Sequence, residues 1–155
     1  MTEQEKIDYK NKLKQACRSI IEQRITTTRA AINQAQHAAN QEEKSSAGDK
    51  YETSRAMGHL EKDLHSRQLA AHLKELASLH AVNIHQIYST PANGAFVECS
   101  HFSFFIACGL GKQILEGDMI VCLSPHAPLA QSLFLKKKND MIIFHMIENL
   151  ITDIY

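Results

Sequence analysis

The stretch Ser45-Ser46-Ala47-Gly48-Asp49-Lys50-Tyr51-Glu52-Thr53 divides two long helical patterns. Upstream, residues 4–44 hold no Gly and no Pro. Their apolar or small residues Ile21, Ile25, Thr28, Ile32, Ala35 and Ala39 recur in alternating steps of four and three, the spacing of a coiled-coil seam. Leu13, Cys17 and Ile20 continue the stripe towards the N-terminus. The opposite face carries Lys10, Lys14, Arg18, Glu22 and Arg29 and reads as solvated. The Ser/Gly cluster ending at Gly48 breaks the pattern. Asp49 with Glu52 three residues on is the form of a helix start, an acid at the cap and another one turn in. The spacing predicts a second helix to about Leu79, with a stripe through Met57, Leu60, Leu64, Leu69, Leu73, Leu76 and His80. The step from Leu64 to Leu69 is irregular and reads as a slip in the heptad. Two helices joined by so few residues run antiparallel. At 30 to 40 residues each they would reach about 45–60 Å.

Past Asn83 the pattern changes. Thr90-Pro91-Ala92-Asn93-Gly94 reads as a linker. Phe96–Cys99, Phe102–Ile106 and Met119–Leu123 read as strands. Gly109-Leu110-Gly111 and Glu116-Gly117-Asp118 read as turns, and Pro128 opens a helical turn from Leu129 to Leu135. The end of the chain reads as a hairpin, 141–146 with 150–155, turning at Glu148-Asn149. The expected fold class is α+β: a coiled-coil hairpin over residues 1–82, with its acidic tip at 48–52, and a small β-rich domain over 90–155.

Composition sets the boundaries of function. A chain of 155 residues with 44% hydrophobic and 22% charged residues can build a soluble core. The formal net charge of zero argues against strong binding of free nucleic acid. No apolar run approaches the ~20 residues of a membrane span. Cys17, Cys99, Cys108 and Cys122 form no C-x-x-C pair and read as reduced and mostly buried, which points to the cytoplasm. Gly109-Leu110-Gly111-Lys112 is only a fragment of a phosphate loop, and His65 and His72 share a helical face with nothing to complete a zinc set, so they read as surface or seam histidines. Lys136-Lys137-Lys138 reads as a solvated turn.

Two motifs resemble those of the bacterial Gre transcript cleavage factors. Gly48-Asp49-Lys50-Tyr51-Glu52 is similar to the family's G-D-x-x-E. Leu123-Ser124-Pro125-His126-Ala127-Pro128-Leu129-Ala130, with Leu133 and Lys136-Lys137, resembles its I-S-P-x-S-P-L-G…L-x-G-K-K. The order and spacing of the two motifs extend the resemblance over nearly the whole chain. It implies an FKBP-like C-terminal domain and a coiled coil that enters the secondary channel of RNA polymerase. It implies further that Asp49 and Glu52 act as catalytic carboxylates, sharing Mg²⁺ with the polymerase site, to cut the backtracked RNA 3′ end. Gly48, Lys50, Tyr51 and Arg55 would meet RNA at the tip, and Ser124, Pro125, Pro128 and Leu129 would dock on the polymerase. Such a protein is not an enzyme alone; it lends its acids to another active site. After Glu52 the family's Asn-Ala-Glu-Tyr is replaced by Thr53-Ser54-Arg55-Ala56. Two alternatives therefore stand beside cleavage: a channel-blocking inhibitor of the same fold, and a coiled-coil adaptor unrelated to transcription.

Overall fold

The computed structural model describes residues 1–42 and 48–155, with the side chains of 42–51 outside the description. The chain is α+β, two long helices followed by a six-stranded mixed sheet with one short helix. It forms two compact units: Ile20–Leu76, and Met1–Ser19 together with Ala77–Tyr155.

The helical unit is built from α1 (Glu3–Glu42) and α2 (Gly48–His80). Within it the helices run antiparallel. Lys62 Nζ donates to Gln36 Oε1 at 2.8 Å, and Gly58 faces Ala39. On α1 the expected seam holds: Ile21, Ile25 and Thr28 are buried, and Ile32, Ala35 and Ala39 half-buried.

On α2 the expected stripe holds only at Leu69 and Leu76. Met57, Leu60 and Leu64 are 65%, 71% and 55% exposed, so they lie off the seam. The less exposed positions are instead Ser54, Gly58, His65, Leu69, His72 and Leu76. Gly58, His65 and His72 repeat every seven residues, with Leu69 and Leu76 each four residues beyond a histidine. The irregular step from Leu64 to Leu69 therefore is not a slip. The histidines occupy the half-buried positions, while Met57, Leu60, Leu64 and Leu73 of the expected stripe stay exposed.

In the other unit the sheet order is β3-β4-β2-β1-β6-β5. The strands are β1 (Phe96–Cys99), β2 (Ser103–Ile106), β3 (Gly111–Leu115), β4 (Asp118–Leu123), β5 (Met141–Phe144) and β6 (Ile147–Ile154). All pairings are antiparallel except β2 with β4. The central strands are apolar on both faces because both faces are covered. On one, Val97, Phe104, Ile106, Val121 and Leu123 cluster with Ala130 and Leu133 of α3 (Pro128–Leu133). On the other lie Phe96, Phe105 and Cys122, laterally paired in register. There Tyr9 meets Phe96 edge-on at 5.3 Å and Cys17 meets Cys122, so the first turns of α1 cover this face.

That cover corrects the reading of α1's polar side. Lys10 is fully buried. Lys14 Nζ donates to the Val82 carbonyl at 2.8 Å, and Lys6 pairs with Asp153 at 2.6 Å. These lysines clamp the helix to the sheet unit and the segment after α2; their stems pack while their ammonium groups find oxygen.

Two strand expectations also change. Gly111 begins β3, which pairs with β4 across a turn at Glu116-Gly117, both at positive φ (51° and 89°). The last hairpin turns at His145-Met146, with φ of 50° and 64°, and not at Glu148-Asn149. Asn149 instead sits buried within β6.

Candidate functional site

The tip of the helical unit is the first candidate. Gly48 is already the first residue of α2, one position ahead of the start expected at Asp49. Asp49, Lys50 and Tyr51 follow in its first turn, with side chains outside the described residues. Glu52 is the first carboxylate of α2 whose side chain is described, and it is exposed. Arg55, three residues on, is exposed and borders a shallow groove with Ala35, Ala39, Ser54 and Gly58. Small residues on both helices leave that groove open. Glu52 and Arg55 at i and i+3 share one side of α2.

The second candidate is the loop between β4 and α3. Ser124 Oγ accepts from the His126 N–H at 3.2 Å, and the Ala127 N–H donates to the Ser124 carbonyl at 3.0 Å. Gln131 Nε2 donates to the Pro125 carbonyl at 2.8 Å. Pro128 occupies the first turn of α3, where its missing N–H costs no helical bond. Ala130 and Leu133 anchor α3 in the core, and Pro128 is exposed while Ser124, Pro125 and Leu129 are half-buried. The loop is therefore held in one shape by its own hydrogen bonds and presents proline to solvent. Lys138 of the following turn pairs with Asp153 at 3.3 Å.

Two groupings escaped the sequence reading. Tyr9, Phe96, Glu98, His101, Asp118 and Tyr155 border one cleft in the sheet unit. Burial and the nearby carboxylates Asp118, Glu116 and Glu98 push the Tyr9 hydroxyl up to about 12. Burial and Glu98 raise Tyr155 in the same direction. Both phenols therefore stay protonated at neutral pH. The second grouping is Cys17, Cys108 and Cys122, all buried. Cys17 on the apolar stripe of α1 was the available signal for it.

Among the described residues, no three His, Cys, Asp or Glu side chains are placed to hold a metal ion together, and no helix is long and apolar enough to cross a membrane. Comparison with known protein families, curated proteins and solved structures finds no match to this chain.

Proposed function

We propose that this chain is a secondary-channel factor of RNA polymerase that stimulates cleavage of backtracked RNA, acting in the cytoplasm as a Gre-type elongation factor. The observation that carries the reading is an antiparallel pair of long helices that presents Glu52, one turn past Gly48, to solvent. The motif in which Glu52 follows Asp49 by three residues puts both carboxylates on one side of the helix start. Support comes also from the sheet unit, read as FKBP-like, whose rigid Ser124–Pro128 loop offers a docking surface of exposed or half-buried Ser124, Pro125, Pro128 and Leu129.

Carboxylate oxygens suit Mg²⁺, which keeps several waters and is held by one or two protein acids plus phosphate. Asp49 and Glu52 can supply two carboxylate groups and no more, so the site is complete only with the polymerase's own acids. Mg²⁺ held there would activate a water and stabilise the leaving oxygen of a phosphodiester. The chain's part is delivery and orientation. The helix start fixes the spacing of the two acids, and Lys50 and Arg55 offer positive charge to RNA phosphates. The exposed stripe of Met57, Leu60 and Leu64 is apolar surface suited to a protein wall.

The test is a purified, backtracked elongation complex incubated with the protein. Short 3′ RNA fragments are expected. The Asp49→Ala/Glu52→Ala double variant should lose cleavage while still co-purifying with the polymerase; unchanged cleavage overturns the mechanism. Inhibited nucleotide addition without fragments would replace it with the channel-blocking reading. Failure to co-purify would leave the adaptor reading.

A further inference from the structure

Three of the four cysteines converge in the sheet unit from three separate segments. Cys17 lies on α1, Cys108 just after β2 and Cys122 within β4, and they are 2%, 0% and 1% exposed. Cys17 Sγ is 3.6 Å from Cys122 Sγ. Cys108, with no exposed surface, is the neighbour that most favours the charged form of Cys17. All three are free thiols. A single buried cysteine behaves as a small hydrophobe. Sulfurs meeting across α1 and β4 create a chemical option that a packed methyl group does not have.

The surroundings assign different roles to the thiols. A thiolate at Cys17 accepts hydrogen bonds from Cys108 and from Cys122, and these lower its pKa. Cys122 is shifted the other way, by its bond to Cys17 and by burial. Of the two sulfurs 3.6 Å apart, Cys17 is the one whose charged form its thiol neighbours favour. Cys99 stands apart. It is half-buried, and burial and then Glu98 push its thiol up to about 12.

We propose that Cys17 and Cys122 are a peroxide-sensitive pair that closes to a disulfide and fastens α1 to β4. The Cys17 thiolate attacks one oxygen of hydrogen peroxide. An S–O bond forms, the O–O bond breaks, and the departing hydroxide leaves as water after taking a proton. Cys17 is thereby oxidised to a sulfenic acid. The Cys122 sulfur then attacks Cys17 Sγ. The S–S bond forms, the S–O bond breaks, and the hydroxyl leaves as water with the proton from Cys122. In total, two thiols and one hydrogen peroxide become one disulfide and two waters. The sulfurs must close by roughly 1.5 Å to reach disulfide length. Because the sulfurs are almost fully buried, the oxidant is a small peroxide and not a bulky disulfide. The product ties the first turns of α1 to the central part of the sheet, and a dithiol reductant reverses it. This pair stands independently of the polymerase reading.

The experiment is to expose the full chain to hydrogen peroxide under native conditions, alkylate the remaining thiols after unfolding, and map the peptides by mass. The expected result is a Cys17–Cys122 linked peptide that dithiothreitol removes, with Cys99 still alkylated. The oxidised chain should also unfold at higher urea, returning to the original midpoint on reduction. Cys99→Ser should leave the link unchanged, and Cys17→Ser should abolish it. Where Cys17→Ser fails to fold, the wild-type peptide map alone decides. A dominant link through Cys108 or Cys99 overturns the proposal. So does over-oxidation of Cys17 without a link, or the absence of any link.

Discussion

The Lys10 ammonium donates to the Gln86 carbonyl oxygen at 2.8 Å, from a side chain with no exposed surface. Its charge also lies 4.9 Å from the centre of the Tyr88 ring. One helix residue thus binds the segment between α2 and β1 through a carbonyl and an aromatic face.

Burial lowers the Lys10 pKa from 10.5 to about 8. Below that value the lysine is protonated in both folded and unfolded chains. Between about 8 and 10.5 the folded chain has released the proton and the unfolded chain still binds it. The contribution of Lys10 to stability therefore rises with pH across this window, by on the order of 3 kcal/mol. Urea unfolding of wild type and Lys10→Met on either side of the window should show the wild type gaining on the variant as pH rises. A constant difference would refute it.

Asn149 ties β6 to the β1–β2 loop. Its Oδ1 accepts from the His101 and Phe102 N–H groups at 2.8 and 3.2 Å, and its Nδ2 donates to the Phe102 carbonyl at 3.1 Å. Asn149→Leu fits the volume but leaves these backbone groups without partners. A loss of about 2–4 kcal/mol in chemical denaturation is expected.

His145 and Met146 hold φ of 50° and 64° in a two-residue hairpin turn. Side chains with a Cβ are strained there, whereas Asn-Gly suits the geometry. Met146 is 98% exposed and has little packing to lose. His145→Asn with Met146→Gly should stabilise the chain by about 1 kcal/mol, read as a rise in melting temperature.

Gly58 sits inside α2, and a Cβ built there would lie 3.9 Å from the Ala39 Cβ, an ordinary contact. Gly58→Ala should therefore raise stability by about 0.5–1 kcal/mol through helix propensity. Loss of stability in thermal unfolding would mean that the helices need glycine at this approach.

The register of α2 can be tested by truncating two leucines nine positions apart. Leu69 is half-buried on the seam, whereas Leu60 is 71% exposed. Leu69→Ala should cost about 1–2 kcal/mol, and Leu60→Ala should stay within about 0.5 kcal/mol. Equal costs in urea melts would place Leu60 on the seam after all.

Much of this architecture is written in local patterns. Residues 4–44 lack any helix breaker, and a helix from Glu3 to Glu42 follows from propensity and periodicity alone. Glu116-Gly117 turns the chain where Gly permits it, and Pro128 opens α3 because its ring suits a helix start. The motif Gly48-Asp49-x-x-Glu52 is legible as a helix start for the same reason, since three residues make up most of one helical turn.

What a residue meets across space is not local, and there the patterns misled. The leucines at 60 and 64 look like a seam, yet the less exposed positions of α2 are His65, Leu69 and His72. The polar residue Lys10 looks solvated until the segment carrying Gln86 and Tyr88 closes over it. Cys17, Cys108 and Cys122 are scattered along the chain, and only the docking of α1 on the sheet brings their sulfurs together. Propensity acts within a turn or two of the chain, so it can set where a helix or turn forms. Burial depends on surfaces contributed by residues far apart in sequence, so the seam, the buried lysine and the thiol pair exist only once the chain has packed.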